Sequence, residues 1–382
     1  MKFSYFLTIA CLLLCLSPVC SAQGNPKPED ATRAVLRAFK SHDIVMFGEI
    51  HGNKQEYAWL RSLVATPEFA DLVDDLVVEY GNSLYQQSVD RYVSGEAVPL
   101  EQVEKAWRNL VGAIGPPSPV YGSFYQAVRA MNLKRKGKHQ MRIVCGDPYI
   151  DWGQVKDRED IAPYLGNRDR WYAQVVKEEV LAKHHRALLI MGWGHFLGRP
   201  LDGQETPSIE RQLRSAGART YLIVAGTNTP GGYDDLDRRF DSWVPPAIAS
   251  LEEGWVGELP AMPVLSGGSI SNRLIAPNSA VRATATSQQL KLKDVADALL
   301  YLGPRDSLTQ IIMPRAELLG TPYGKEIERR LTIEGFPPSF VSQMQSRDAE
   351  APQFSRPQPA PPPPPPPKNV NAPLPPRPPS QR

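Results

Sequence analysis

An α/β domain built around a largely parallel central sheet flanked by helices is the fold class this sequence predicts. Three observations carry the prediction. Short apolar runs, too short for helices, recur between residues 44 and 228. Stretches with helical spacing separate them, so strand and helix alternate. Four of the runs lead into acids or histidines beside glycine: Glu49 and His51, Glu79, Asp147, and His195. An open parallel sheet places ligand-handling residues at the carboxyl ends of its strands.

Taken in order, the chain opens with Lys2 and an apolar stretch from Phe3 to Val19, followed by Cys20-Ser21-Ala22. That pattern predicts a secretory signal cleaved after Ala22, giving an exported protein, periplasmic or secreted. Ser17-Pro18 interrupts the run, which is short for a membrane span. Residues 23–31 read as a linker, and a helix is expected from Thr32 to Lys40 with Thr32 as its N-cap. Ile44 to Phe47 reads as a strand apolar on both faces, hence central, and it enters Gly48-Glu49-Ile50-His51-Gly52. Glu49 and His51, two apart, point the same way in an extended segment. Asn53 to Val64 follows as a helix with Tyr57, Leu60 and Leu63 on its buried face. Leu72 to Tyr80 repeats the theme and ends on Glu79, after which Gly81-Asn82 is expected to turn the chain away.

Helical spacing then marks Ser83 to Ser94, Leu100 to Leu110 and Tyr121 to Lys134, with a breaker-rich loop from Gly112 to Pro119. This block, residues 83–134, reads as a helical insertion after the second strand that could roof a site. Met141 to Cys145 is the third strand, stopped by Pro148 with Asp147 at its lip. A helix is expected over Asn167 to Lys183, opening with Arg168-Asp169-Arg170, then a strand from Ala187 to Met191 entering Gly192-Trp193-Gly194-His195. Ile209 to Ala216 reads as a helix, Arg219 to Ala225 and Asp297 to Gly303 as strands, and Gly324 to Gly335 as a helix. One α/β domain over residues 23–344 follows. From about residue 345 the chain is Pro-rich, with Pro361 to Pro367 unbroken, and reads as a disordered tail. Such a tail could contact a partner or a cell-wall mesh, or act as a spacer.

The formal net charge of +2 over 382 residues makes no case for nucleic acid or an anionic membrane. Signal cleavage removes Cys11, Cys15 and Cys20 and leaves Cys145 alone, which excludes a disulfide framework or a thiolate metal cluster. A metal would have to be held by histidine and carboxylate. No Gly-X-Ser-X-Gly elbow, His-Glu-X-X-His, P-loop or dinucleotide fingerprint is present. If the four runs are neighbours, His51, His195, Glu49, Glu79 and Asp147 share one crevice. Two neutral histidines and a carboxylate can hold a catalytic divalent ion, here drawn from His51, Glu79, His195 and Asp147. Without an ion, His51 can act as a general base oriented by Glu49 or Glu79, with His195 or Arg168 facing a developing oxyanion. Glu79 also reads as a cap for the helix after it, and Asp147 as a turn residue.

Gly48-Glu49-Ile50-His51-Gly52 resembles the first motif of the erythromycin-esterase-like proteins. Gly48-X-X-His51 and Gly192-X-X-His195, with Glu79 between, are similar to the paired motifs of the Tiki/TraB proteins. The motif order also resembles the ChaN-type haem-uptake proteins of the same superfamily, and Arg168-Asp169 resembles the Arg-bearing helix of the esterase-like branch. The resemblance covers roughly residues 40 to 228. Its esterase-like branch implies a hydrolase with His51 as base, supported by Glu49 and Glu79. Its Tiki-like branch implies a metal-dependent hydrolase with His51, Glu79 and His195 as ligands. Its ChaN-like branch implies haem, for which Tyr80, Tyr149 and His195 are the available iron ligands. The reading is therefore an exported hydrolase acting on a small-molecule or peptide substrate, with haem uptake and a non-catalytic binding scaffold as alternatives.

Overall fold

The computed structural model describes residues 24–112, 118–196, 208–226, 238–266, 290–304 and 307–339, with short pieces at 200–201, 204–205, 342 and 350–352. The expected signal sequence at 1–22 and all of the Pro-rich tail except 350–352 lie outside the described residues.

The strands are β1 (Glu29–Asp30), β2 (Ile44–Glu49), β3 (Asp75–Asn82), β4 (Arg142–Asp147), β5 (Ala187–Gly192), β6 (Pro200–Leu201), β7 (Gln204–Glu205), β8 (Thr220–Ala225), β9 (Ala247–Ser250), β10 (Ala298–Tyr301), β11 (Thr309–Ile311) and β12 (Glu350–Pro352). Eight of them form one sheet in the order β1-β9-β10-β8-β2-β5-β3-β4. The run from β10 to β4 is parallel throughout, while β9 pairs antiparallel with both β10 and β1. The expected largely parallel central sheet is what the chain forms, with an antiparallel edge at β9 and β1. β6 pairs with β7, and β11 with β12, as separate two-stranded ladders.

The apolar runs explain the layering. Along β2, Val45 and Phe47 face one core with helices α1 (Ala31–Ala38), α2 (Lys54–Val64), α3 (Pro67–Leu72), α4 (Gln86–Val93) and α7 (Pro119–Lys134). Ile44 and Met46 face the other, with α8 (Arg158–Glu179) and α9 (Ile209–Ser215). All four β2 side chains are fully buried, as a strand covered on both faces requires. Each such side chain contributes roughly 1.5–3 kcal/mol through the apolar surface it removes from water.

Several elements differ from expectation, each for a local reason. Helix α1 begins at Ala31 because Asp30, not Thr32, caps it by accepting the Arg33 N–H at 3.0 Å. Strand β3 continues through Gly81-Asn82 instead of turning there, with its register against β4 shifted between Val78 and Asn82. Leu100 to Leu110 divides into α5 (Leu100–Val103) and α6 (Lys105–Arg108). Helix α8 starts at Arg158, well before Asn167, because Asp157 and Asp160 form a capping box and Pro163 is accommodated inside the helix. Within the insertion, α7 packs on α2 and α4, and its Tyr121 stacks on Tyr80 of β3. The segment that reaches the rim is Asn109–Val111, whose Asn109 carbonyl accepts from Asn82 Nδ2 at 2.7 Å. Among the described residues no helix is long and apolar enough to cross a membrane.

Candidate functional site

Four adjacent strands, β2, β5, β3 and β4, deliver their carboxyl ends to one rim. The inserted strand matters: β5 lies between β2 and β3, with Gly192 in register opposite Glu49 and Ile190 opposite Val78. It therefore brings His195, in the short turn Trp193–His195, to within 3.0 Å of Glu79.

Glu49 ends β2 and is 1 % exposed. Its Oε1 lies 2.7 Å from His51 Nδ1, and its Oε2 accepts the Tyr57 hydroxyl from the first turns of α2. The backbone between them is fixed by Glu56, whose two carboxylate oxygens each lie 3.2 Å from the Ile50 N–H. Burial, then the charge of Glu49, pushes the Glu56 carboxyl well above its ordinary range. Burial and Glu49 likewise raise the Tyr57 phenol, which stays a donor. In contrast to Glu49, the His51 side chain is 58 % exposed. The protein packed around His51 would by itself lower its pKa, but the charge of Glu79 and the hydrogen bond and charge of Glu49 outweigh it and hold it at about 9. Solvent on the open side of the ring softens that pull.

Glu79 is the hub. Its Oε2 accepts the Gly192 N–H at 2.6 Å, and its Oε1 lies 3.1 Å from Arg168 Nη2 and 3.0 Å from His195 Nε2. Burial would raise this carboxyl, yet the His195 and His51 charges, the His195 hydrogen bond and Arg168 keep it well below the usual carboxylate range. His195 is held from its other side by Asp169, 2.5 Å from Nδ1. Burial would lower its pKa too, and Glu79 and Asp169 raise it instead. Gly192 supplies the floor: a Cβ there would stand 3.0 Å from His51 Cε1 and 3.3 Å from Glu79 Oε2.

The structure thus brings Glu49, His51, Glu79, His195 and Arg168 together. Asp147 joins them only through Arg168. Its Oδ1 accepts from Arg168 Nη2 at 3.0 Å and from the Tyr172 hydroxyl at 2.7 Å, while Oδ2 accepts the Val111 N–H at 2.9 Å. Arg168 does not open its helix; the earlier start of α8 puts it mid-helix, with Tyr172 one turn on. Tyr80 is shut into the core, 1 % exposed and stacked on Tyr121 at 4.1 Å between centroids. Tyr149 packs against Trp171, with centroids 5.8 Å apart.

Among the described residues, the group whose donor atoms lie within 4.8 Å of one another is Glu49, His51 and Glu79, which shares His51 and Glu79 with the expected ligand set. His195 and Asp147 fall outside that group. One imidazole and two carboxylates are donors that suit a divalent ion, and a carboxylate behind a histidine is the usual backing for a ligating ring. Tyr57 and Glu56 complete the site without any motif marking them, and Asp169, adjacent to Arg168 in the resembled helix, joins it by holding His195.

No protein-family model and no curated protein matches the chain. Among solved structures, similarity is found to a Bacillus cereus protein at 11 % identity and TM-score 0.43, over 72 % of this chain and 94 % of that one. The type III effector HopBA1 is similar at 13 % identity and TM-score 0.34, over 56 % and 91 % of the two chains. ChaN of Campylobacter jejuni, solved with cofacially bound haem, is similar at 12 % identity and TM-score 0.32, over 53 % and 87 %. Likeness at this level carries no argument about this chain's chemistry.

Proposed function

We propose that this rim is the active site of an exported hydrolase that acts on a small-molecule or peptide substrate. One observation carries the reading. Two histidines, each backed by its own carboxylate, Glu49 for His51 and Asp169 for His195, face a shared carboxylate, Glu79. Glu79 lies between the two rings as the carboxylate they share. His51, open to solvent, is the group that gives up its proton and then takes one from an attacking water. His195, with its ring nitrogens on Asp169 and Glu79, holds Glu79 in place from the other side, and Arg168 beside it supplies positive charge toward negative charge developing on the substrate.

Glu49, His51 and Glu79 also fit a divalent ion, which would supply Lewis-acid activation of a bound water. The potential that keeps a proton on His51 would favour such a cation equally, so protons and ion compete for the ring. Tyr80, shut into the core against Tyr121, is not placed for haem ligation at this rim.

The test is turnover of an ester, amide and peptide panel by the chain from residue 23 onward. His51→Ala, Glu79→Gln and His195→Ala are each expected to lower kcat/KM by at least about 100-fold with an unchanged circular dichroism spectrum. Undiminished turnover in all three would remove the reading.

A further inference from the structure

The helical insertion sends one phenol to the rim. Helix α7 begins at Pro119 behind its N-cap Ser118, whose hydroxyl donates to the Ile311 carbonyl of β11 at 2.5 Å. The Ile311 N–H in turn donates to the Gly52 carbonyl at 2.8 Å. The start of α7 is thereby tied to the loop that carries His51. Tyr121 follows in the first turn of the helix. Its ring stacks on that of Tyr80, the residue after Glu79, with centroids 4.1 Å apart and planes 8° from parallel. An edge contact at 5.5 Å and 68° sets it against Tyr57, the phenol that anchors Glu49.

Tyr121 is 6 % exposed, and its hydroxyl has no hydrogen-bond partner among the described residues, yet is not sealed from solvent. A buried tyrosine usually gives its hydroxyl a partner. The other phenols at the rim have theirs: Tyr57 donates to Glu49, and Tyr172 to Asp147. Burial first, then the charges of Glu49 and Glu79, push the Tyr121 phenol well above its ordinary range, so it keeps its proton. We propose that Tyr121 is a further catalytic residue of this rim, whose hydroxyl donates to the carbonyl oxygen of a bound ester or amide as that oxygen takes on negative charge. As water adds to the carbonyl carbon, the C=O π pair moves onto oxygen and a proton of the water passes to His51. The phenol gives a hydrogen bond and loses no proton. Arg168 supplies charge, and Tyr121 supplies a directed donor. The assignment rests on the hydrolase reading for the reaction it serves, and the test keeps the two apart.

Tyr121→Phe is compared with wild type, both as the chain from residue 23 onward. Turnover is measured on the ester, amide and peptide panel. Calorimetric titration with methyl methylphosphonate, a tetrahedral monoanion shaped like the water adduct, reads the donor without turnover. The variant is expected to lose at least about 100-fold in kcat with KM nearly unchanged. Its affinity for the phosphonate is expected to be at least about 10-fold weaker. Its Tm should not fall, because the hydroxyl makes no bond within the described structure. Unchanged kcat and phosphonate affinity would overturn the inference and leave the hydrolase reading to His51→Ala. Lost turnover with a lowered Tm and undiminished phosphonate affinity would show a structural role and overturn it too. If wild type turns over nothing in the panel, the hydrolase reading fails, and the phosphonate alone decides. Weaker binding by the variant then supports a donor at Tyr121, and equal or absent binding removes it.

Discussion

His51 takes its character from Glu49, and Glu49 from Tyr57. With one oxygen on the ring and the other on the buried phenol, Glu49 has a single working orientation. Tyr57→Phe removes the second anchor and leaves a buried carboxylate oxygen short of a partner. We expect kcat/KM to fall about 10-fold and the fold to lose roughly 1–3 kcal/mol, read by steady-state kinetics and denaturant melts. Unchanged kinetics would show that Tyr57 serves only the core. The sequence exposes part of this residue-scale picture. Glu49, His51, Glu79 and His195 stand out because each follows an apolar run beside glycine. Asp169 does not, because its pairing with His195 exists only after α8 has crossed back and β5 has entered the sheet.

At the scale of elements, the loop after β2 and strand β11 are fitted to each other at Gly52. Its φ is +76°, and a Cβ there would stand 2.8 Å from the Ile311 carbonyl oxygen. Gly52→Ala is therefore strained in its backbone and crowded against β11 at once. It is expected to lower stability by more than about 1 kcal/mol and to loosen β11 from the loop, visible as faster amide exchange at Ile311. The elements that were legible are those with long apolar runs, β2, β5 and β8, or a clear buried stripe, α2 and α7. Those that were not have other causes. Strand β9 has four residues and no alternation, β1 has two polar ones, and the first turns of α8 were hidden by Pro163, which reads as a breaker until its cap is seen.

Across the whole molecule, the C-terminal helix Pro322–Glu334 ties the insertion to α8. Arg330 reaches the Arg108 carbonyl at 2.8 Å and Asn109 Oδ1 at 2.6 Å, and Arg329 the Val155 and Trp152 carbonyls at 2.8 and 2.7 Å. Glu334, at its end, is 7 % exposed and pushed up to about 7, by burial against the opposing pull of Arg168 and the Gly112 N–H. A carboxyl raised on folding binds more protons in the native state. Its contribution is fully present below the ordinary glutamate range and is lost as pH rises through about 7. Glu334→Gln removes that loss, so at about pH 8 the variant is expected to melt higher than wild type, by up to roughly 3 kcal/mol in stability. No difference in Tm between the two at that pH would contradict the assignment. None of these long-range ties is visible in the sequence, where residues beyond 230 carry little periodicity. The domain's interior, by contrast, follows from its apolar runs.

The most direct measurement is kcat/KM for a hydrolysed ester or peptide, taken on wild type and His51→Ala from about pH 6 to about pH 10. A protonated His51 cannot accept a proton from water. The wild-type rate should therefore climb with pH and level only as that ring ionises, near about 9, while the variant stays low and flat. A wild-type profile that levels at the ordinary histidine value, or a variant that keeps the wild-type curve, would contradict the assignment of His51 as the proton-transfer group.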